Sequence, residues 1–191
     1  MQIPSMETLD LHGKKTMIRL DLNVPLKDGN VTSDARIQAA LPTIQMAHDK
    51  GAKVILLSHL GRPDPDNLDG SFSLEPVAKK LQEILNINVS FQPNWLDGIK
   101  EESQGIVLCE NIRYEAGEKK NDESLSKQIA DLCDVYVMDA FGASHREHSS
   151  TYGALKYAKE GCIGPLLSKE VSSIRKAIDD PQAPVTAIIG G

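Results

Sequence analysis

Four short polar clusters and one arginine carry the groups in this sequence that could do chemistry. Each cluster directly follows an apolar run. Arg19-Leu20-Asp21-Leu22-Asn23-Val24-Pro25 follows Thr16-Met17-Ile18, and Ser58-His59-Leu60-Gly61-Arg62-Pro63 follows Lys53-Val54-Ile55-Leu56-Leu57. Glu110-Asn111-Ile112-Arg113-Tyr114 follows the run 105–109. Asp139-Ala140-Phe141-Gly142, with Ser144-His145-Arg146-Glu147-His148 behind it, follows 135–138. The lone arginine is Arg36, two residues after Asp34, where Ser33-Asp34 reads as a helix N-cap. A cation is electrostatically misplaced at the positive end of a helix, so Arg36 makes better sense facing an anion. Brought together, Arg36, Arg62, Arg113, Arg146 and His59 would form a cationic cup suited to a small, multiply charged anion. Asp21 and Asn23, two apart, point to the same side of an extended chain. They offer a carboxylate acceptor and an amide to a hydroxylated ligand; the plain alternative is local turn chemistry. Gly61 would let a ligand approach the backbone closely.

The elements that must position these groups alternate in type. Short runs at 16–20, 53–57, 87–91, 105–109 and 135–138, and a last one at 185–189, are apolar throughout, as strands buried on both faces should be. Between them, 34–50, 74–85 and 122–132 repeat apolar residues at helical spacing, and Pro42 is expected to kink or restart the first of these helices. The pattern predicts an α/β fold: a doubly wound, Rossmann-like, mainly parallel sheet with helices on both faces and right-handed crossovers. Ligands of such sheets sit beyond the carboxyl ends of the strands, where every cluster falls. A further helix, 166–178, carries Leu167, Val171, Ile174 and Ile178 as its stripe and is expected at one end of the domain. The run 185–189 into Gly190-Gly191 reads as the start of a unit that the chain does not complete, so the chain reads as cut. The expected division is a domain over 1–165 and an appended piece over 166–191.

Composition narrows the function classes. The chain has 191 residues, of which 40% are hydrophobic and 25% charged, enough apolar material for a real core. Aromatics make up only 4% and the net charge is −6, which disfavours a stacking platform or a broad polyanion-binding face, hence nucleic acid as a partner. No apolar run reaches membrane-spanning length, and Met1 to Lys15 lacks the apolar core of a signal peptide, so a cytoplasmic protein is expected. Cys109 and Cys133 lie in or beside apolar runs and read as reduced core residues. His145 and His148 have no third ligand nearby, so no metal site is expected. Neither glycine-rich nucleotide-phosphate motif is present.

Taken in order, the four clusters closely resemble those of phosphoglycerate kinases, with Gly164-Pro165-Leu166-Leu167 and Ala187-Ile188-Ile189-Gly190-Gly191 resembling that family's interdomain helix and the first strand of its second domain. The resemblance covers the whole chain. It implies reversible phosphoryl transfer between 1,3-bisphosphoglycerate and ADP, giving 3-phosphoglycerate and ATP, with this half binding the phosphoglycerate. Mg-ATP or Mg-ADP would sit on a second half, and the full-length enzyme would be a monomer. Asp21, Leu22, Asn23, Arg36, His59, Leu60, Gly61, Arg62, Arg113 and Arg146 would line the substrate site, with Arg36 balancing charge in the transition state. The nucleotide loop is expected after Gly191, so the chain alone is expected to lack turnover. Leu22 stands where the family usually has phenylalanine, and Ala143, Ser144 and Glu147 where it commonly has Thr, Ala and Ala. Two other readings stay open. One is a haloacid-dehalogenase-like phosphatase using Asp21, Ser58 and Asp139, although Asn23 stands where its second aspartate would be needed. The other is a phosphometabolite-binding module without chemistry.

Overall fold

The computed structural model describes residues 4–100 and 105–179, with Pro181, Pro184, Thr186 and Ile188 beyond them. The strands are β1 (Lys15–Leu20), β2 (Leu26–Lys27), β3 (Asn30–Val31), β4 (Lys53–Leu57), β5 (Val89–Gln92), β6 (Ile106–Cys109), β7 (Val135–Asp139) and β8 (Glu160–Ile163). The α-helices are α1 (Ala35–Asp49), α2 (Glu75–Leu85), α3 (Glu123–Asp131), α4 (Phe141–Ser144), α5 (Ala154–Tyr157) and α6 (Pro165–Asp179). Six strands form one sheet in the order β5-β6-β4-β1-β7-β8, and every pairing in it is parallel. The chain enters at β1 in the middle, winds outward through β4, and returns to lay β7 against the other side of β1. The winding therefore reverses between β1 and β7, and a crevice opens there at the carboxyl edge.

Alternation along the strands builds a core on each face of the sheet. Ile18, Leu20, Val54, Leu56, Leu108 and Val137 pack beneath α1 and α2 through Ile37, Ile44, Val77 and Leu81. On the opposite face Met17, Ile55, Leu57 and Tyr136 meet Leu125 and Ile129 of α3, together with Trp95 and Ala154. Helices on both faces of a parallel sheet make the doubly wound fold that the alternating pattern predicts. Leu22 is fully buried in the first of these cores.

Three details differ from expectation. Helix α1 runs through Pro42 without a break. Pro42 lies on an exposed face, where the carbonyl deprived of its partner can turn to water. Asp34 occupies the N-cap position of α1 without a side-chain cap bond; its carboxylate instead accepts from Gln38 Nε2 at 3.0 Å. Strand β8 and the hairpin of β2 and β3 lie in stretches where no strand was expected. Helix α6 packs on α1, α4 and the end of β7. Of its stripe, Leu167 is buried with Met138, Ala140 and Ala143 and Val171 is partly covered, whereas Ile174 and Ile178 are exposed. Of the expected strand 185–189, Thr186 and Ile188 are described, both exposed and in no strand, while 185, 187 and 189 lie outside the described residues.

Candidate functional site

The carboxyl end of β1 delivers a buried cation rather than a solvated one. Arg19 is 1% exposed. Its Nε–H donates to Ser150 Oγ at 2.9 Å, an Nη1–H to the Leu20 carbonyl, and Nη2 lies 3.0 Å from His59 Nδ1. A guanidinium has no acceptor, so it is the donor and Nδ1 of His59 presents its lone pair. Burial and the charges of Arg19, Arg113, Arg146 and Arg36 push His59 down to about 2, so its ring is neutral across the ordinary pH range. Its single proton is then on Nε2.

The next residues form the turn that β1 cannot extend past Pro25. Asp21 accepts from the Asn23 N–H at 3.3 Å and is ion-paired with Arg36 at the start of α1. Asn23 Oδ1 accepts from the Gly61 N–H at 2.8 Å, which leaves its amide N–H groups to donate. The two residues therefore serve both as turn chemistry and as a charged edge. Ser58 Oγ donates to the Leu20 carbonyl and accepts from the Leu22 N–H, both at 2.9 Å, stitching β1 to β4 at the edge of the crevice.

Gly61 has φ +58, and a Cβ there would lie 2.2 Å from the Phe72 ring, so only glycine fits. Its carbonyl accepts from Arg113 Nη1. Leu60 is held through both backbone groups by Asn111, at 3.1 Å and 2.8 Å. Glu110 in turn accepts from Ser73 Oγ at 2.7 Å and the Leu74 N–H at 2.9 Å, fastening the 61–74 loop. Beside it lies a cavity of about 220 Å³ lined by Asn23, Leu26, Gly61 and Phe72 among others. Arg113 is 7% exposed and Arg62 is exposed at the rim. Burial lowers the affinity of Arg113 for its proton, and Arg146, Arg19 and Arg62 add repulsion. Of the residues expected at the site, Arg36, Arg113 and Arg146 act on His59 and Arg62 acts on Arg113, whereas Leu22 and Leu60 are buried in the core and His145 is exposed.

Sequence reasoning missed Glu118 and Ser150. Glu118 is 1% exposed, and it accepts from Ser150 Oγ at 2.6 Å and the Ser150 N–H at 2.9 Å. Asp139, at the end of β7, is fully buried; it accepts from Thr43 Oγ1 of α1 and from the Leu167 N–H of α6 at 2.7 Å. Burial raises its carboxyl above the ordinary range. Asp139 thus joins α1, β7 and α6. Asp139, which the phosphatase reading needs at the site, is committed instead to this buried joint.

Fold and site together define a doubly wound α/β domain whose strand ends gather arginines around a neutral, buried imidazole. The sequence model of one family, phosphoglycerate kinase, matches residues 6–191. The phosphoglycerate kinases of Francisella tularensis subsp. novicida (strain U112) and Nitratidesulfovibrio vulgaris (strain DSM 19637 / Miyazaki F) are each 51% identical over the whole chain. The solved phosphoglycerate kinase of Coxiella burnetii superposes with a TM-score of 0.94 at 48% identity, covering 100% of this chain and 49% of that one. That of Pyrococcus horikoshii OT3 gives 0.82 at 30% identity, covering 94% and 47%. This chain belongs to the phosphoglycerate kinase family. It spans about half the length of the curated relatives it matches, 49% for the Francisella protein.

Proposed function

We propose that this chain is the substrate-holding half of a phosphoglycerate kinase, binding 3-phosphoglycerate or 1,3-bisphosphoglycerate at the carboxyl edge of its sheet in a cytoplasmic, glycolytic enzyme. One observation carries the reading: a neutral, buried imidazole ringed by arginines in a chain of net charge −6. Such a ring repels itself and gains most from an anion with several charges. Residues up to about 165 form the domain, and 166–191 lead toward a second half that binds the nucleotide. Among the described residues no group of three His, Cys, Asp or Glu could hold a metal ion.

Each residue then has a task that its chemistry fits. The substrate carboxyl is already ionised near neutral pH and needs no general base. What the protein supplies is position and neutralised charge. Arg113, Arg62, Arg146 and the Nε2–H of His59 hold the phosphate and carboxylate. Arg36, exposed and paired with Asp21, takes the transferring group and balances its charge in the transition state. Asn23 donates to the substrate hydroxyl, and Asp21 orients Arg36.

Calorimetric titration of the 191-residue chain with 3-phosphoglycerate at low salt tests the reading. Binding that weakens with added salt and is largely lost in Arg62→Ala and Arg113→Ala is expected. No heat at millimolar ligand, or affinity untouched by both substitutions, overturns it.

A further inference from the structure

The deepest part of the site contains an unbroken chain of hydrogen bonds from a buried carboxylate to the imidazole. We infer that Glu118 and Ser150 are positioning residues of the anion site, acting through Arg19 to hold His59 with its one proton on Nε2 and aimed into the cup. The inference rests on the substrate-holding reading for what occupies the cup, but the direction of the chain of bonds stands on geometry alone.

That direction is forced one link at a time. Glu118 is buried and, as a carboxylate, can only accept. Ser150 Oγ lies 2.6 Å from Glu118 Oε1, so the single hydroxyl proton goes to Glu118. Ser150 therefore turns its lone pairs to Arg19, whose Nε–H donates at 2.9 Å. With Nε fixed on Ser150 and Nη1 on the Leu20 carbonyl, the planar guanidinium has no freedom to rotate. Its Nη2 meets His59 Nδ1 at 3.0 Å and can only donate. The Ser150 backbone closes the arrangement: its N–H donates to Glu118 Oε2 at 2.9 Å and its carbonyl accepts from the Tyr136 hydroxyl. A wide π-helical turn, Ser149–Gly153, presents both groups of Ser150 inward, a distortion common at functional sites.

The charges around the chain favour the same state. Desolvation works against the cation of Arg19; Glu118 is the foremost group opposing that, followed by Tyr136 and Asp21, with Arg146 acting the other way. His59 faces Arg19, Arg113, Arg146 and Arg36. His148, with Nδ1 3.8 Å from Glu118 Oε1, faces Glu118, Arg113, Arg146 and Arg19, and burial lowers its affinity for a proton. Glu118 is the foremost carboxylate acting on Arg19 and on His148 among the described residues, so its removal would take that counter-charge from both.

The test is a long-range proton–nitrogen NMR spectrum of the histidine rings in the 191-residue chain, read with calorimetric binding of inorganic phosphate and 3-phosphoglycerate. In the wild type His59 should show one neutral tautomer, with the proton on Nε2. Ser150→Ala removes the acceptor for Arg19. Glu118→Gln presents an amide that can donate, which lets Ser150 reverse. Each should mix the His59 tautomers, move its titration, and weaken phosphate binding about tenfold, the loss of roughly one hydrogen bond. An Nδ1–H tautomer in the wild type overturns the inference, even if neither variant folds. So does a folded Ser150→Ala chain with an unchanged His59 spectrum. Phosphate binding without 3-phosphoglycerate binding refutes the substrate reading and leaves the positioning chain intact.

Discussion

His59 makes the stability of this domain depend on pH in a way that a single substitution can isolate. Its folded-state affinity for a proton is depressed, to about 2 from the usual 6.5. The unfolded chain therefore binds a proton on this ring below pH 6.5 while the folded chain does not. Stability that His59 allows at neutral pH is lost as the pH falls toward 2, and the slope reaches about 1.4 kcal/mol per unit for one proton. Between pH 7 and 4.5 the loss integrates to about 2.5 kcal/mol, or roughly 5–10 °C in Tm for a domain of this size. His59→Asn places a non-titrating acceptor where Nδ1 meets Arg19. The substitution costs some packing at both pH values, and the carboxylates titrate alike in both proteins, so those effects cancel in the difference. Urea unfolding of wild type and His59→Asn at the two pH values should show the stability gap shifting toward the variant by about 2.5 kcal/mol on acidification. A gap that changes by less than about 0.5 kcal/mol would mean that His59 titrates normally when folded, and the cationic ring around it would not be acting on it.

Other outcomes follow from the same contacts. Gly61→Ala forces a left-handed conformation on a Cβ that meets Phe72, so stability should fall by roughly 2–4 kcal/mol in thermal melts, with phosphate affinity falling alongside. Thr43→Val removes a donor to buried Asp139 and should cost about 1–3 kcal/mol at pH 7. Because the Asp139 carboxyl titrates above its unfolded value, acid relieves this charge, and the Thr43→Val penalty in melts at pH 4 should be smaller. Burial pushes the Cys133 and Cys162 thiols up to about 12, and Cys109 higher still, so an aromatic disulfide reagent should label all three only on unfolding.

The centre of the fold was legible because β1, β4, β6 and β7 are buried on both faces and therefore apolar at nearly every position. Strand β8 was not, because it is an edge strand: Glu160-Gly161-Cys162-Ile163 pairs with β7, meets only Ser5 by an isolated bridge on its other side, and has one buried residue. The hairpin of β2 and β3 did leave a signal, Asp28-Gly29 with φ 51° and 72°, the dipeptide that a tight hairpin turn selects. The arginines were legible because a cation directly after an apolar run, or at a helix start, is out of place locally. Glu118 and Ser150 were not, since a glutamate among lysines and a serine in a serine pair look solvated. Their partners lie 32 and 131 residues away in the chain, and only the closed sheet brings them together.

The proposed cup divides into a fixed part and an adjustable part. Arg19, His59 and Arg113 are buried, and each is bound by groups that burial makes costly to abandon. Arg36 is different: its side chain is 51% exposed and its partner Asp21 22% exposed. Exposed pairs of this kind contribute only about 0–1 kcal/mol, so an anion can draw Arg36 away from Asp21 at little expense. Asp21 thus screens the rim without competing strongly for it, while the counter-charge that could neutralise the floor, Glu118, sits behind Arg19 and out of reach of a ligand. The acidic residues hold the cations in place from behind, and the positive face stays turned to the crevice where the winding of the sheet reverses.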